Sequence, residues 1–198
     1  MGFFFITGDR KGRELMRTDM MWMELELANQ RWLLLATERG LCRVIFPHEE
    51  LEGWRNWMNK AAPGKEPRED AEAIRRTGIV EWLERYFAGE RSSFADIPLD
   101  LIGTSFQQQV WTALGQVPYG ETRTYGDIAA AIGRPTAVRA VGAANGANPI
   151  PILLPCHRIV GADRKLTGFR GGLEMKRKLL ELERIEGIAD GGHARFQF

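Results

Sequence analysis

Residues 124–145 read TYGDIAAAIGRPTAVRAVGAAN, and this stretch decides the fold of the second half of the chain. Thr124 is a typical N-cap for a short helix that we predict from Tyr125 to Ile132. The triplet Gly133-Arg134-Pro135 then breaks this helix, and a second helical pattern follows at once. Two short helices joined by a tight turn that contains glycine predict a helix-turn-helix.

The second helix of this pair is poor in bulky side chains. We predict that Thr136 caps it and that it runs from Ala137 to about Asn145. Val138, Arg139 and Val141 are almost its only residues larger than alanine. Such a helix either packs tightly against a neighbour or presents a narrow face to a groove of DNA. The minor groove, about 6 Å wide, would suit the second alternative, with Arg139 as the long side chain.

The residue pattern and the balance of charge change around residues 97–103, and we place a domain boundary there. Residues 1–102 are then a support domain, 103–187 a DNA-binding domain, and 188–198 a flexible tail. Up to Gly103 the chain has 15 Lys and Arg against 18 Asp and Glu, whereas from Thr104 onward it has 12 against 8. A basic half beside an acidic half fits a DNA-contacting domain joined to a support, although ordinary scatter would also produce it.

The first half shows the pattern of a small sheet followed by helices. The segments Met21–Leu27, Arg31–Thr37 and Gly40–Phe46 are typical of strands and are separated by short turns, so we expect an antiparallel meander. Helical periodicity follows over residues 49–60 and again over 68–87. The predicted fold class is therefore α+β, with a helical second domain.

Composition narrows the class of protein. The chain has 198 residues, 44% of them hydrophobic, as in globular proteins. No apolar run approaches the roughly 20 residues that span a bilayer, and the apolar opening at residues 1–7 is too short for a signal peptide. We therefore expect a cytoplasmic protein with no membrane partner. Cys42 and Cys156 have no metal-ligand spacing with the three histidines, so we predict no metal site.

The sharpest chemistry lies in residues 148–160, which read NPIPILLPCHRIV. Three prolines stiffen the approach to Cys156, and His157 and Arg158 follow it. A thiol is a weak nucleophile at neutral pH unless a base or a positive field favours its thiolate. Neighbouring side chains of an extended segment point to opposite faces, so His157 would reach Cys156 through a turn or a water. For the dipeptide alone, a buried structural cysteine beside a capping histidine is the favoured interpretation.

Several motifs in a fixed order resemble the O6-alkylguanine-DNA alkyltransferase family from about Gly103 to Glu183. Besides PCHR at 155–158, they are GTSFQ at 103–107, VW at 110–111, PYGETRTY at 118–125, RAVG at 139–142, LTGF at 166–169 and GGL at 171–173. Over residues 1–100 the resemblance is architectural, to a ribonuclease-H-like N-terminal domain. The second domain is then a winged helix-turn-helix.

The resemblance implies a role for each residue around the thiol. Cys156 corresponds to the alkyl acceptor, and His157 to the base that draws its proton through a water. Glu183 corresponds to the carboxylate that orients this histidine. Arg158 and Asn148 correspond to residues that brace the turn by hydrogen bonds.

The same resemblance implies how the substrate is held. Tyr125 corresponds to the phenol that faces the guanine, and Arg139 to the finger that replaces the extruded nucleotide. The expected pocket residues are Pro151, Val160 and Phe169, and the further expected DNA contacts are Arg134, Thr136, Ala137 and Ala140. Phe169 stands where many members have tyrosine, so a hydrogen bond from that hydroxyl would be missing.

The implied reaction is stoichiometric transfer of an alkyl group from O6 of guanine to Cys156, without a cofactor. The implied partner is double-stranded DNA that contains O6-alkylguanine, bound through the minor groove largely independently of sequence by a monomer. Two other classes of protein are alternatives. A non-catalytic DNA lesion-binding protein would lack the acceptor cysteine, and a Cys-His hydrolase would have no use for a helix-turn-helix.

Overall fold

The computed structural model describes residues 19–49, 51–64, 66–91 and 94–189, with only the backbone of Leu51 and Glu52. The apolar opening at 1–7 lies outside these residues. The chain divides between Ile102 and Gly103 into two compact units. In the part of the chain that the structure describes, no helix is long and apolar enough to cross a membrane.

The sheet of the first unit confirms the predicted meander. Strand β1 (Met21–Leu27) pairs antiparallel with β2 (Gln30–Thr37), and β2 pairs antiparallel with β3 (Gly40–Ile45). Ala28 and Asn29 make the tight turn between β1 and β2 with φ of 52° and 57°. This left-handed conformation is typical of hairpin turns.

The single helix predicted over residues 68–87 is wrong. The segment instead forms strand β4 (Arg68–Glu69), which pairs parallel with β1, then helices α2 (Ala71–Arg75) and α3 (Ile79–Phe87). Asp70 ends the strand by accepting a hydrogen bond from the amide of Ala73. Gly78, with φ of 79°, separates the two helices. The apolar period continues through the segment, but the side chain of Asp70 and the glycine prevent one continuous helix.

Helix α1 (Leu51–Ala61) contributes Met58 to a core cluster that contains Cys42. Cys42 is fully buried, and its thiol donates to the carbonyl oxygen of Leu35 at 3.4 Å. Burial raises the pKa of this thiol, and the negative charge of Asp100 raises it further. It is a buried structural residue.

The second unit begins with two well-capped helices. Thr104 caps α4 (Ser105–Leu114), and Thr124 caps α5 (Tyr125–Ala131). Each cap is a capping box, because the side chain at the third helical position bonds back to the cap amide. The N-cap at Thr124 confirms the sequence prediction.

The cap predicted for the next helix is wrong. Helix α6 (Val138–Gly146) begins after Ala137, which makes no side-chain cap bond, and Thr136 lies exposed before it. Gly133, with φ of 71°, makes the turn after α5. Helices α4, α5 and α6 pack against one another, so the helix-turn-helix is built on a three-helix cluster.

A small parallel sheet and a last helix complete the second unit. Strand β5 (Arg123–Thr124) pairs with β6 (Ile159–Val160), and helix α7 (Gly172–Leu182) follows. The α+β class is thus confirmed. The tail predicted from residue 188 starts too early, since Ala189 still pairs with Lys165; residues 190–198 lie outside the described part.

Candidate active site around Cys156

Cys156 opens a single 3₁₀ turn, Cys156–Arg158, directly before β6. The approach to it is fixed by Asn148, whose amide nitrogen donates to the carbonyl oxygen of Leu154 at 2.7 Å. The oxygen of the same amide accepts the backbone N–H of Ile150 at 3.0 Å. Asn148 is buried, so one side chain satisfies the backbone at both ends of the proline-rich bend. The bracing role expected for it agrees with this geometry.

The environment of the Cys156 thiol is a balance of opposing effects. The residue is 3% exposed, and burial raises the pKa of its thiol. A hydrogen bond with Asn148 lowers this pKa, and so do the positive charges of Arg170 and Lys176. Burial dominates, so the thiol is mainly protonated at neutral pH. A base must take its proton before it can act as a nucleophile.

Glu183 is the centre of the hydrogen-bond network behind the cysteine. Its two carboxylate oxygens accept from His157 Nε2 at 2.7 Å and from Arg158 Nε and Nη2 at 2.8 and 3.0 Å. The amide of Gly120 donates to the same group at 3.3 Å. Burial alone would raise the pKa of Glu183, but the bonds and charges of His157 and Arg158 lower it to about 2. The carboxylate is therefore ionised at neutral pH.

The charge on Glu183 fixes the tautomer of His157. An ionised carboxylate can only accept, so Nε2 of His157 must donate to it. Burial lowers the pKa of His157, even though the hydrogen bond and charge of Glu183 raise it. The ring is thus neutral with its proton on Nε2, and Nδ1 carries the lone pair that can accept a proton. This is the arrangement of a general base held by a carboxylate.

Arg158 braces the turn from the other side. Its Nη1 donates to the carbonyl oxygen of Val117 at 2.5 Å, in addition to the two bonds with Glu183. The guanidinium lies 5.7 Å from the ring centroid of Tyr119, whose hydroxyl donates to the carbonyl oxygen of Leu182. Tyr119 is therefore packed against the network, whereas Tyr125 is directed elsewhere.

Tyr125 is the first residue of α5, and its hydroxyl lies 2.9 Å from Thr167 Oγ1. Burial raises its pKa more than the bond with Thr167 lowers it, so the phenol is protonated at neutral pH. A negative charge on Cys156 also raises the pKa of Tyr125. A protonated phenol can donate a hydrogen bond to a bound base.

The expected pocket residues surround the turn to different degrees. Pro151 and Val160 are buried on either side of it, and Phe169 is half-buried with its ring 6.5 Å from that of His157. Ile152 has φ of 75°, which a β-branched residue rarely adopts. The bend before Cys156 is thus held in a strained backbone conformation, as functional sites often are.

The small residues of helix α6 lie on a buried face and on an exposed face. Val141 and Ala144 are buried, and the carbonyl oxygen of Ala144 accepts the indole N–H of Trp111 at 2.8 Å. Arg139 and Ala140 are exposed on the other face. Small side chains therefore allow close packing inside while they keep the outer face narrow.

The other expected DNA contacts lie at the start of this helix. Arg134 and Thr136 are exposed, and Ala137 is half-buried. The guanidinium of Arg134 stacks 5.5 Å from the ring centroid of Phe106 on α4. The turn between α5 and α6 thus presents a positive charge next to the exposed face of α6.

Sequence reasoning missed Lys176 and Thr167. Lys176 has no exposed surface, and its amine donates to the carbonyl oxygens of Ile159 and Thr167. A signal was present, because Lys176 lies three and four positions before the buried Leu179 and Leu180. A charged residue on the apolar stripe of a helix indicates a buried charge, and Glu183 continues the same stripe.

The described residues contain no group of three or more His, Cys, Asp or Glu that could hold a metal ion. The residues singled out above supply a thiol, an imidazole bonded to a carboxylate, and a phenol bonded to Thr167. Such a set can take up an electrophilic carbon on sulfur and protonate a leaving group.

Comparison with known proteins gives two family-model matches. Residues 105–185 match the DNA-binding domain of 6-O-methylguanine DNA methyltransferase, and residues 31–101 match its ribonuclease-like domain. The second match shows a likeness in sequence over the first half of the chain, for which the sequence analysis found only an architectural resemblance.

Individual relatives agree with both matches. A methylated-DNA–protein-cysteine methyltransferase of Mycobacterium bovis is 60% identical over 114 residues, which cover 58% of this chain and 68% of the relative. An inducible enzyme of the same name from Bacillus subtilis is 40% identical over 171 residues, 86% of this chain and 94% of the relative. The crystal structure of Mycobacterium tuberculosis OGT in complex with DNA matches with a TM-score of 0.71 at 43% identity, covering 83% of this chain and 92% of that one.

Proposed function

Because the chain belongs to the 6-O-methylguanine DNA methyltransferase family, we propose that it repairs DNA by direct reversal, with Cys156 as the residue that takes the alkyl group. The activity is that of a methylated-DNA–protein-cysteine methyltransferase. The observation that carries the assignment of the acceptor is the hydrogen-bonded series His157–Glu183–Arg158 behind Cys156.

The proposed reaction is a nucleophilic substitution at the alkyl carbon. His157 Nδ1 takes the thiol proton, through a water where the two groups are not in contact, and Glu183 stabilises the resulting imidazolium. The thiolate sulfur forms a bond to the alkyl carbon, the bond from this carbon to O6 breaks, and its electron pair moves onto the guanine. Tyr125 donates its phenol proton to N3 of the departing base as negative charge develops there, so the base leaves as neutral guanine, and the proton taken up by His157 then restores the phenol.

The product is guanine in the DNA and S-alkylcysteine in the protein. A thioether is a poor leaving group, so each chain transfers one alkyl group and no external cofactor takes part. The target base must leave the stack, since a thiol fixed in the protein cannot reach O6 inside a duplex.

We propose that the exposed face of α6 enters the minor groove of the DNA and that the chain acts as a monomer. Arg139 and Ala140 are exposed on this face, and Arg134 adds a positive charge beside it. Such residues contact phosphates and recognise the shape of the groove, so binding is largely independent of the DNA sequence. Arg139 fills the place of the extruded nucleotide, which offsets an unstacking cost of a few kcal/mol.

Replacing Arg139 by alanine is therefore expected to slow transfer from duplex DNA more than it weakens binding to undamaged duplex. The physical reason is that the substitution removes the group that fills the gap, whereas phosphate contacts elsewhere remain. Single-turnover rates and binding to undamaged duplex are measured for Arg139→Ala and for Arg134→Ala as the matched arginine control. Equal losses on transfer and on undamaged binding would contradict the finger role.

Intact-mass spectrometry after exposure to O6-methylguanine duplex tests the function as a whole. We expect a permanent gain of one methyl group per chain, located on Cys156 by peptide mapping. Binding without a change of mass would instead indicate a non-catalytic lesion-binding protein, and many turnovers per chain would contradict a single-use acceptor.

A further inference from the structure

The hydroxyl groups of Tyr125 and Thr167 lie 2.9 Å apart, between side chains that are both half-buried. The fold makes this contact, because the two residues are 42 positions apart in the sequence. Strands β5 and β6 are parallel and pair Thr124 with Val160, so the chain leaves them side by side, at Tyr125 and at Gly161. The loop that starts at Gly161 then brings Thr167 back to the same place.

The methyl group of Thr167 sets the direction of its hydroxyl. A Cβ atom added to Gly161 would lie 3.3 Å from Thr167 Cγ2, so this methyl group packs over the bare backbone of the glycine. The preceding residue, Leu166, is 2% exposed, and its amide donates to the carbonyl oxygen of Ala189 at 2.9 Å. A β-branched side chain has few rotamers, so a methyl group held against Gly161 leaves Oγ1 directed at Tyr125.

The ring of Tyr125 is held as well. Tyr125 is the first residue of α5, whose start is fixed by the capping box at Thr124. A Cβ atom added to Gly142 would lie 3.8 Å from Cδ1 of the ring, so the ring packs beside α6. The phenol oxygen is thus positioned through its ring by α6 and through its hydroxyl by Thr167.

One hydrogen bond joins the two hydroxyl groups, so one of them donates and the other accepts. If Tyr125 donates to Thr167, its proton is turned away from a bound base. If Thr167 donates, the phenol proton is available to N3 of the guanine, and the phenol oxygen still accepts a bond after it has given that proton up. A hydrogen bond to a charged acceptor is roughly twice as strong as one between neutral groups, so this bond strengthens as the base leaves. In agreement, the bond with Thr167 lowers the pKa of Tyr125, against the larger effect of burial.

We propose that Thr167 is a positioning residue for the proton donor of alkyl transfer. It donates to the phenol oxygen of Tyr125, directs the phenol proton toward the base, and stabilises the phenolate that forms when the base takes this proton. The role rests on the proposed function, in which Tyr125 protonates the departing guanine. Thr167 acts through Tyr125 and needs no contact with the alkyl group or with the thiol.

The test asks whether the effect of the Thr167 hydroxyl depends on the phenol. Thr167→Val removes the hydroxyl and keeps the shape, and Thr167→Ser keeps the hydroxyl. Each rate is compared with that of Tyr125→Phe and of the double variant Tyr125→Phe/Thr167→Val. Thr112→Val is the matched control, because the half-buried Thr112 donates to the carbonyl oxygen of Gln108 within α4.

Two rates are measured for every protein. The first is single-turnover transfer from O6-methylguanine duplex at saturating protein. The second is alkylation of Cys156 by iodoacetamide, followed by peptide mass. Iodide leaves without a proton, so the second reaction uses the same thiol but has no need of the phenol.

We expect Thr167→Val to slow transfer from DNA by about tenfold or more, as for the loss of one hydrogen bond to a developing charge. Thr167→Ser should recover most of the wild-type rate, and Thr112→Val all of it. In the Tyr125→Phe background, Thr167→Val should change the rate by less than about twofold, because no phenol remains to be directed. The iodoacetamide rates of Thr167→Val and wild type should be equal.

An equal loss from Thr167→Val with and without the phenol would overturn the proposal, because Thr167 would then act independently of Tyr125. An unchanged transfer rate would overturn it too, and so would a matching loss in the iodoacetamide reaction, which indicates a distorted site. If Thr167→Val does not fold, Thr167→Ala takes its place in the same comparison. Failure of the proposed function is distinguishable, since the wild-type protein would then gain no methyl group from DNA and this inference would fall with it.

Discussion

Cys156→Ser is expected to bind O6-methylguanine duplex as tightly as the wild-type protein and to gain no detectable mass from it. Serine keeps the shape of the side chain, so the turn and the bonds of Asn148 remain. Its hydroxyl, however, is a far weaker acid than a thiol and gives too little alkoxide to displace the guanine. Intact mass and binding to the same duplex are the two measurements.

The matched control for this substitution is the other cysteine of the chain. Cys42 is buried in the core of the first unit, and Cys42→Ser should still accept one methyl group per chain. A methyl group gained by Cys156→Ser, or one found on Cys42 in the wild-type protein, would contradict the assignment of the acceptor.

Glu183→Gln is expected to have the second largest effect, on rate and stability together. The amide cannot stabilise a positive imidazolium, so transfer should slow by about a hundredfold or more. The same change leaves the buried guanidinium of Arg158 without its counter-charge, which typically destabilises a protein by about 3–5 kcal/mol. Single-turnover kinetics and denaturant unfolding measure the two effects.

Glu181→Gln is the control for this prediction, because Glu181 lies two residues earlier and is exposed. We expect it to change the free energy of unfolding by less than about 0.5 kcal/mol and the rate not at all. Similar losses for the two variants would contradict the central place of Glu183.

We expect the stability of the protein at acidic pH to depend on the ionisation of Glu183. Because the pKa of Glu183 is lowered from about 4.5 to about 2, its contribution to stability is complete above about pH 4.5 and is lost as the pH falls toward 2. The shift corresponds to about 3 kcal/mol, and Glu183→Gln should flatten that part of the stability curve. An unchanged acid limb in this variant would contradict the lowered pKa.

Local signals predicted the parts of the fold that local chemistry determines. The N-cap at Thr124 and the turn between the first two strands depend on residues a few positions away, so their sequence patterns were sufficient. The break at Gly78 was missed because the apolar period continues through it.

The site likewise contains residues that a local motif identifies and residues that only the fold brings into place. Cys156 and His157 could be singled out from their own motif, but nothing in the sequence pattern distinguishes Glu183 from Glu181 on physical grounds. Only the fold shows that Glu183, after the end of α7, turns its carboxylate toward the turn that holds His157. Lys176 could have been found as a charge on an apolar stripe, but its carbonyl partners are contacts between distant segments.

The burial of Cys156 has a consequence for the lifetime of the protein between encounters with damage. Oxidants such as hydrogen peroxide attack thiolates that solvent can reach, and sulfinic and sulfonic acids are irreversible products. A thiol that is 3% exposed, with its pKa raised by burial, presents little thiolate to such reagents. Under the proposed function Cys156 accepts one alkyl group per chain, so a thiol that resists oxidation keeps the protein active until it meets damaged DNA.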